Sequence, residues 1–185
     1  MTITKQIVGK TTDEIWQQVS ADLADDETFE YAAVLAQGDR KVELVIDIDL
    51  GGGFESGSAY VSFSAPVSAA HDFRFALHHQ SWIDTAGKLF GLEDVVIGYP
   101  EFDDAMVIKT DNREKTHQLF ADATVRETFQ SLLLFTLHLT HQHVEGKKDK
   151  EPLLELVIEE DINDPARLRK IYEAFCSVLS GIEAD

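Results

Sequence analysis

Between residues 42 and 50 every second side chain is a large aliphatic: Val42, Leu44, Ile46, Ile48 and Leu50 alternate with Glu43, Asp47 and Asp49. Successive side chains of a strand point to opposite faces, so this pattern demands a strand with one dry and one wet face. Val61, Phe63 and Ala65, set against Ser62 and Ser64, repeat it after the glycine-rich stretch Gly51 to Gly57, which reads as a flexible hairpin connection. Phe73, Phe75 and Leu77 against Asp72, Arg74 and His78 make a third alternation. Phe135, Leu137 and Leu139 make a fourth, and Leu154, Leu156 and Ile158 a fifth beyond the charged turn Gly146 to Lys150. Val95-Val96-Ile97 and Met106-Val107-Ile108 read as short strands. Hairpin-length connections imply antiparallel neighbours.

Helices punctuate the strands. Thr11-Thr12-Asp13-Glu14 has the spacing of a capping box and leads into Ile15, Trp16, Val19 and Leu23. Asp111 with Glu114, and then Asp122 or Thr124, read as two further caps, with Leu119, Phe120 and Phe129 on the apolar side. Ser81 to Gly91 hints at a short helix. Asp164-Pro165 opens the clearest helix of the chain, because proline at the first helical position gives up an N–H that had no partner there. Leu168, Ile171, Tyr172, Phe175, Val178, Leu179 and Ile182 then form one broad stripe. The expected architecture is an α+β two-layer sandwich: an antiparallel sheet with helices packed mainly on one face. At 185 residues a single domain, 1–185, is expected, and a division into halves 1–91 and 92–185 is allowed.

Thirty-four acidic residues against 16 basic ones leave a net charge of −18. That field repels phosphate backbones and anionic lipid, so neither nucleic acid nor a membrane surface is an expected partner. No apolar run is long enough to span a bilayer, the first residues lack the apolar stretch of a signal peptide, and the one cysteine, Cys176, has no partner for an internal disulfide. A soluble cytoplasmic protein is expected.

The chemistry-bearing patterns are weak. Gly9-Lys10-Thr11 resembles the end of a phosphate loop, but Thr4 stands where the first glycine belongs and no buried strand is expected before it. Asp47-Ile48-Asp49 lacks the later oxygen ligands of a calcium loop, since Gly51 and Ser58 occupy those places. Glu145-Gly146-Lys147 has half of a nuclease motif in a turn, and Cys176 flanks an apolar stripe. Only the histidines invite a site. His138, His141 and His143 lie within six positions; strand parity puts His141 and His143 on one face and His138 on the other. A usable metal site needs a third and preferably a fourth ligand, which His78 or Glu155 would have to supply. No residue is therefore assigned as catalytic, cofactor-binding or metal-ligating, and no cofactor is expected.

Val95-Val96-Ile97-Gly98-Tyr99-Pro100-Glu101-Phe102-Asp103, followed by Met106 to Lys109 and Asp111-Asn112, resembles a signature of uncharacterised bacterial proteins of unknown function. There a short strand, an IG-x-PEFD turn, a strand ending in lysine and a capped helix follow one another. The resemblance covers residues 95–129 and implies no activity. In this chain the segment reads as a turn, with Phe102 anchored in the core and Asp103 accepting backbone amides. The expected function is a non-enzymatic interaction or binding domain, bacterial and free to form a homodimer, with a basic or polar protein or a small molecule as partner. The competing expectation is a small-molecule-binding protein or metal-assisted hydrolase using the His138/His141/His143 strand.

Overall fold

The computed structural model describes residues 4–24, 30–49, 57–67, 72–81, 92–143 and 150–184. The 50–56 connection, the 82–91 stretch and the Glu145-Gly146-Lys147 turn lie outside them. In chain order the elements are β1 (Lys5–Val8), α1 (Thr12–Asp22), β2 (Glu30–Gln37), β3 (Arg40–Asp49), β4 (Ser58–Pro66), β5 (Phe75–His79) and β6 (Glu93–Asp94). They continue with α2 (Pro100–Ala105), β7 (Met106–Thr110), α3 (Arg113–Leu119), α4 (Ala123–Gln130), β8 (Phe135–His143), β9 (Lys150–Ile158) and α5 (Pro165–Glu183). All these strands join one sheet in the order β1-β2-β3-β4-β9-β8-β5-β7-β6. Every neighbouring pair is antiparallel except β1 and β2, which run parallel because α1 carries the chain back between them. This is the expected α+β fold. Residues from before position 91 interleave with those after it, since β5 pairs with both β7 and β8.

The helices pack on one side. Leu44, Phe63, Leu156, Leu137 and Leu77 lie in register across five strands, all fully buried. Over them α5 lays its stripe, Leu168 to Ile182, with Tyr172 and Phe175 against Phe63. Trp16 of α1 meets Tyr172 edge-on, Phe120 at the end of α3 meets Phe75 and Phe102, and Phe129 of α4 stacks on Phe135. Each large apolar side chain so covered contributes about 1.5–3 kcal/mol. No helix among the described residues is long and apolar enough to cross a membrane.

Three local readings change. The cap of α3 is Asn112, whose side chain accepts from Lys115 N; Asp111 instead accepts from Arg74 N and pairs with its guanidinium. Val95-Val96-Ile97 is not a strand. The two ladder residues are Glu93 and Asp94, and beyond Val95 the amides turn away to Asp103. That carboxylate accepts from Ile97 N (2.8 Å), Gly98 N (2.9 Å) and Tyr99 N (2.9 Å), so these groups are lost to the sheet. The IG-x-PEFD segment is a glycine turn at Gly98 (φ +103°) running into a helical turn, α2, with Phe102 1% exposed beneath it. Tyr99 stacks on His117, and the Arg126 guanidinium lies over the Tyr99 ring and donates to Phe120 O and Ala121 O at the end of α3.

No buried strand leads into the phosphate-loop look-alike: β1 is an edge strand in which only Ile7 is buried, and Gly9 is pressed against Ile15. A β-carbon there would lie 2.8 Å from Ile15 Cγ1. The nearby amides are already taken: Thr11 Oγ1 accepts from Glu14 N, and Glu14 Oε2 accepts from Lys10 N. This is a helix entry with its donors satisfied from within.

Candidate functional site

With the helices on one side, the opposite sheet face carries the polar alternates. Residues directly opposite in register share a face. Glu43, Ser64, Glu155, His138, Ala76, Lys109 and Asp94 therefore form one row across seven strands, from β3 to β6. The next row is Val45, Ser62, Val157, Thr136, His78 and Val107. At the β2–β3 end, Glu30, Glu43, Asp47 and Asp49 are exposed on this face together with one cation, Lys41, and Tyr60, opposite Asp47, is 37% exposed. Asp47 and Asp49 thus stand on the wet side of a strand.

The sequence placed His138 apart from His141, and the structure agrees. His141 shares the helix-side parity of Leu137 and Leu139, whereas His138 lies on the far face. His143 belongs to β8, but its side chain is outside the described residues. The two auxiliary candidates both come to His138. Glu155 sits directly opposite on β9, with Oε2 3.1 Å from His138 Nε2, and His78 lies diagonally across on β5. The hydrogen bond from His138 holds the Glu155 carboxyl below the usual carboxylate range, outweighing the opposite effect of burial. Among the described residues no three His, Cys, Asp or Glu side chains come close enough together to hold a metal ion.

His78 reverses its expected environment. The alternation put it on a wet face, yet it is 4% exposed. Its Nδ1 lies 3.1 Å from the His79 carbonyl oxygen. A carbonyl only accepts, so Nδ1 carries the hydrogen and Nε2 of the neutral ring is a bare lone pair. Burial pulls the His78 pKa below the ordinary imidazole value, and the nearby Lys109 ammonium acts the same way. Lys109 is itself paired with Asp94 at 2.7 Å.

Four buried side-chain polar atoms lack a hydrogen-bond partner among the described residues: Trp16 Nε1, His78 Nε2, His138 Nδ1 and Thr140 Oγ1. Three of the four share the face of β5 and β8 turned away from the described helices, with Thr140 two residues beyond His138. Each such group costs about 1–3 kcal/mol if nothing pairs with it, and folded proteins leave few of them. Sequence reasoning missed Thr140 and Lys109, because only the β8–β5–β7 order brings them beside the histidines.

Two other places carry less. A hollow of about 590 Å³ between α4 and α5 has Val125, Ile171 and Ala174 as its floor. Its rim mixes Arg167 and Lys170 with Glu127 and Glu173, so no one charge converges there. Cys176 is half-buried on α5, and burial pushes its thiol up, away from the thiolate a nucleophile needs.

Neither a protein-family model, nor a curated protein, nor a solved structure matches this chain.

Proposed function

We propose that the chain is a non-enzymatic binding domain of the bacterial cytoplasm, and that the sheet face turned away from the described helices is where it meets a basic protein partner. One observation carries this reading: exposed Glu30, Glu43, Asp47 and Asp49 gather on that face beside the exposed ring of Tyr60. In a chain of net charge −18 they attract cationic surfaces and reject phosphate and anionic lipid. Tyr60 adds the amphipathic aromatic contact on which interfaces are often centred. A small-molecule site or metal-assisted hydrolase on His138, His141 and His143 has less support, because the first two point to opposite sides of the sheet.

The test is calorimetric titration with an arginine-rich peptide and with a neutral peptide of equal length. Binding of the basic peptide alone is expected, weakening with salt and falling several-fold in Tyr60→Ala and in the Glu43→Gln/Asp47→Asn pair. Wild-type protein that ignores the basic peptide, or binding untouched by those substitutions, refutes the proposal.

A further inference from the structure

β1 closes the sheet at one end, and among the described residues no strand lies on its outer side. The other end, β6, is only two residues long. Successive residues of a strand turn their N–H and C=O groups to opposite sides. Gly9 N donates to Ala36 O of β2, so Lys5 and Ile7 also face β2 while Gln6 and Val8 face outward. Gln18 Nε2 of α1 donates to Val8 O, which leaves Gln6 N–H, Gln6 C=O and Val8 N–H along the open edge. Both residues are exposed, and Val8, at 63%, is the most exposed large apolar side chain described. On the helix side a hollow of about 380 Å³ runs along the same edge, lined by Lys5, Gln6 and Ile7 of β1 and by Gln18, Ala21 and Asp22 of α1. Its two charges cancel, since Lys5 Nζ lies 2.8 Å from Asp22.

We infer that this edge takes an extended segment of the basic partner, which joins the sheet as a further strand beside β1. The partner's charge rests on the binding face proposed above; the hydrogen bonding does not. An open strand edge offers donors and acceptors at the spacing of another extended backbone, and peptides are bound in this way. Four residues span about 13 Å, so a segment of about five to seven residues covers β1. Its alternate side chains meet two different surfaces. Those on the helix side enter the neutral hollow beside Ile7 and Ala21, which suits a small aliphatic such as valine. Those on the other side join Gln6 and Val8 at the border of the acidic face, beside Glu30 on β2 and Glu43, Asp47 and Asp49 on β3. These acids outnumber the nearby cations, Lys41 and Lys10, and suit lysine or arginine, whose stem can lie over Val8. They stand two or three strand spacings away, about 10–14 Å, so they attract the segment rather than bond to it. A second copy of the chain brings the same acidic face and a net charge of −18, which opposes the pairing of two such edges.

The experiment follows backbone amide exchange of the full chain by NMR while a blocked peptide of alternating lysine and valine is added. Without peptide the Gln6 and Val8 amides should exchange fast and those of Ile7 and Gly9 slowly; the peptide should slow Gln6 and Val8. Two N-methylated versions of the peptide, one methylated on every valine and one on every lysine, give the sharper reading. Alternate N–H groups of the added strand face β1, so one version should bind and the other should not. Gln6→Pro removes an N–H that the sheet does not use. It should keep the melting temperature close to wild type and weaken the peptide by roughly tenfold, the worth of one lost hydrogen bond. Should that variant not fold, the methylated peptides on the wild-type chain decide alone. Equal binding of both methylated peptides, or Gln6 and Val8 amides that exchange as fast with peptide as without it, overturns the edge. If Glu43→Gln/Asp47→Asn still weakens binding, the face itself stands. Dimerisation in sedimentation runs that Gln6→Pro abolishes overturns the assignment to a partner.

Discussion

Asp103→Asn is the most informative single substitution for the fold, because one half-buried carboxylate organises the whole entry to β7. Its Oδ1 accepts from Ile97 N, and its Oδ2 accepts from Gly98 N and Tyr99 N. An amide in the same place keeps one oxygen, so the substituted side chain retains one or two of the three bonds. Its NH2 group then faces at least one backbone N–H, donor against donor. Hydrogen bonds to a charged acceptor are worth about 1.5–3 kcal/mol each, and partial exposure trims that, which gives a loss of about 2–4 kcal/mol. For a chain of this length 1 kcal/mol corresponds to roughly 2–4 °C, so the melting temperature should fall by about 6–12 °C for a mid-range loss. Calorimetry at neutral pH, with urea unfolding as a second measure, reads this directly. Phe102→Ala, which empties a site 1% exposed, should cost about 3–5 kcal/mol by a separate mechanism, cavity formation. An Asp103→Asn protein that melts at or above the wild-type temperature would refute the reasoning, since carboxylates kept for function are often held against stability.

Phe175→Ala should lower stability by about 3–5 kcal/mol in urea titrations, because Phe175 is fully buried against Phe63 at a centroid distance of 6.0 Å. Gly98→Ala should be destabilising by about 1–3 kcal/mol in the same assay, since φ of +103° is strained for any side chain although space for a methyl exists. His78 sets a pH dependence: its folded pKa lies below the ordinary 6.5, so the unfolded chain takes up a proton that the folded one refuses. Stability is then full above about pH 6.5 and falls as the pH drops below it, and His78→Phe should flatten melting temperatures measured between pH 8 and pH 5.5.

The strands with strong contrast were legible because their physics is local. In β3, Val42, Leu44, Ile46 and Ile48 are all buried while Glu43, Asp47 and Asp49 are exposed, as alternation requires. The α5 stripe is legible for the same reason, with a cap at Asp164 that accepts from Arg167 N. β2 was not legible. Its dry side is Tyr31, Ala33 and Leu35 and its other side Ala32 and Val34, so the two faces scarcely differ in polarity. β1 fared no better, as four residues are too few to show a period. Its parallel pairing follows from α1 crossing the sheet, which no short window reveals. The cap of α3 fell on Asn112 because Asp111 had a distant partner in Arg74, and such long-range bonds are invisible to local spacing.

The same division explains the candidate site. Strand parity alone separated His138 from His141, and the polar residues of β3 announced a wet face. The meeting of His78 with His138 depends on strand order. β5 follows β4 in the chain, yet lies between β8 and β7, because β9 returns to pair with β4 and β8. Ala76 and His78, which have no sequence relation to β8, thereby acquire His138 and Thr136 as neighbours. Burial follows from the same placement: a histidine read as solvent-facing is enclosed beside Val107, Thr136 and the Lys109–Asp94 pair. Hydrophobic residues alone would have satisfied that position with less strain on the hydrogen-bond balance of the sheet. Among the described residues His78 Nε2, His138 Nδ1 and Thr140 Oγ1 are buried without a hydrogen-bond partner, on a face that only the pairing of β5 with β8 brings together.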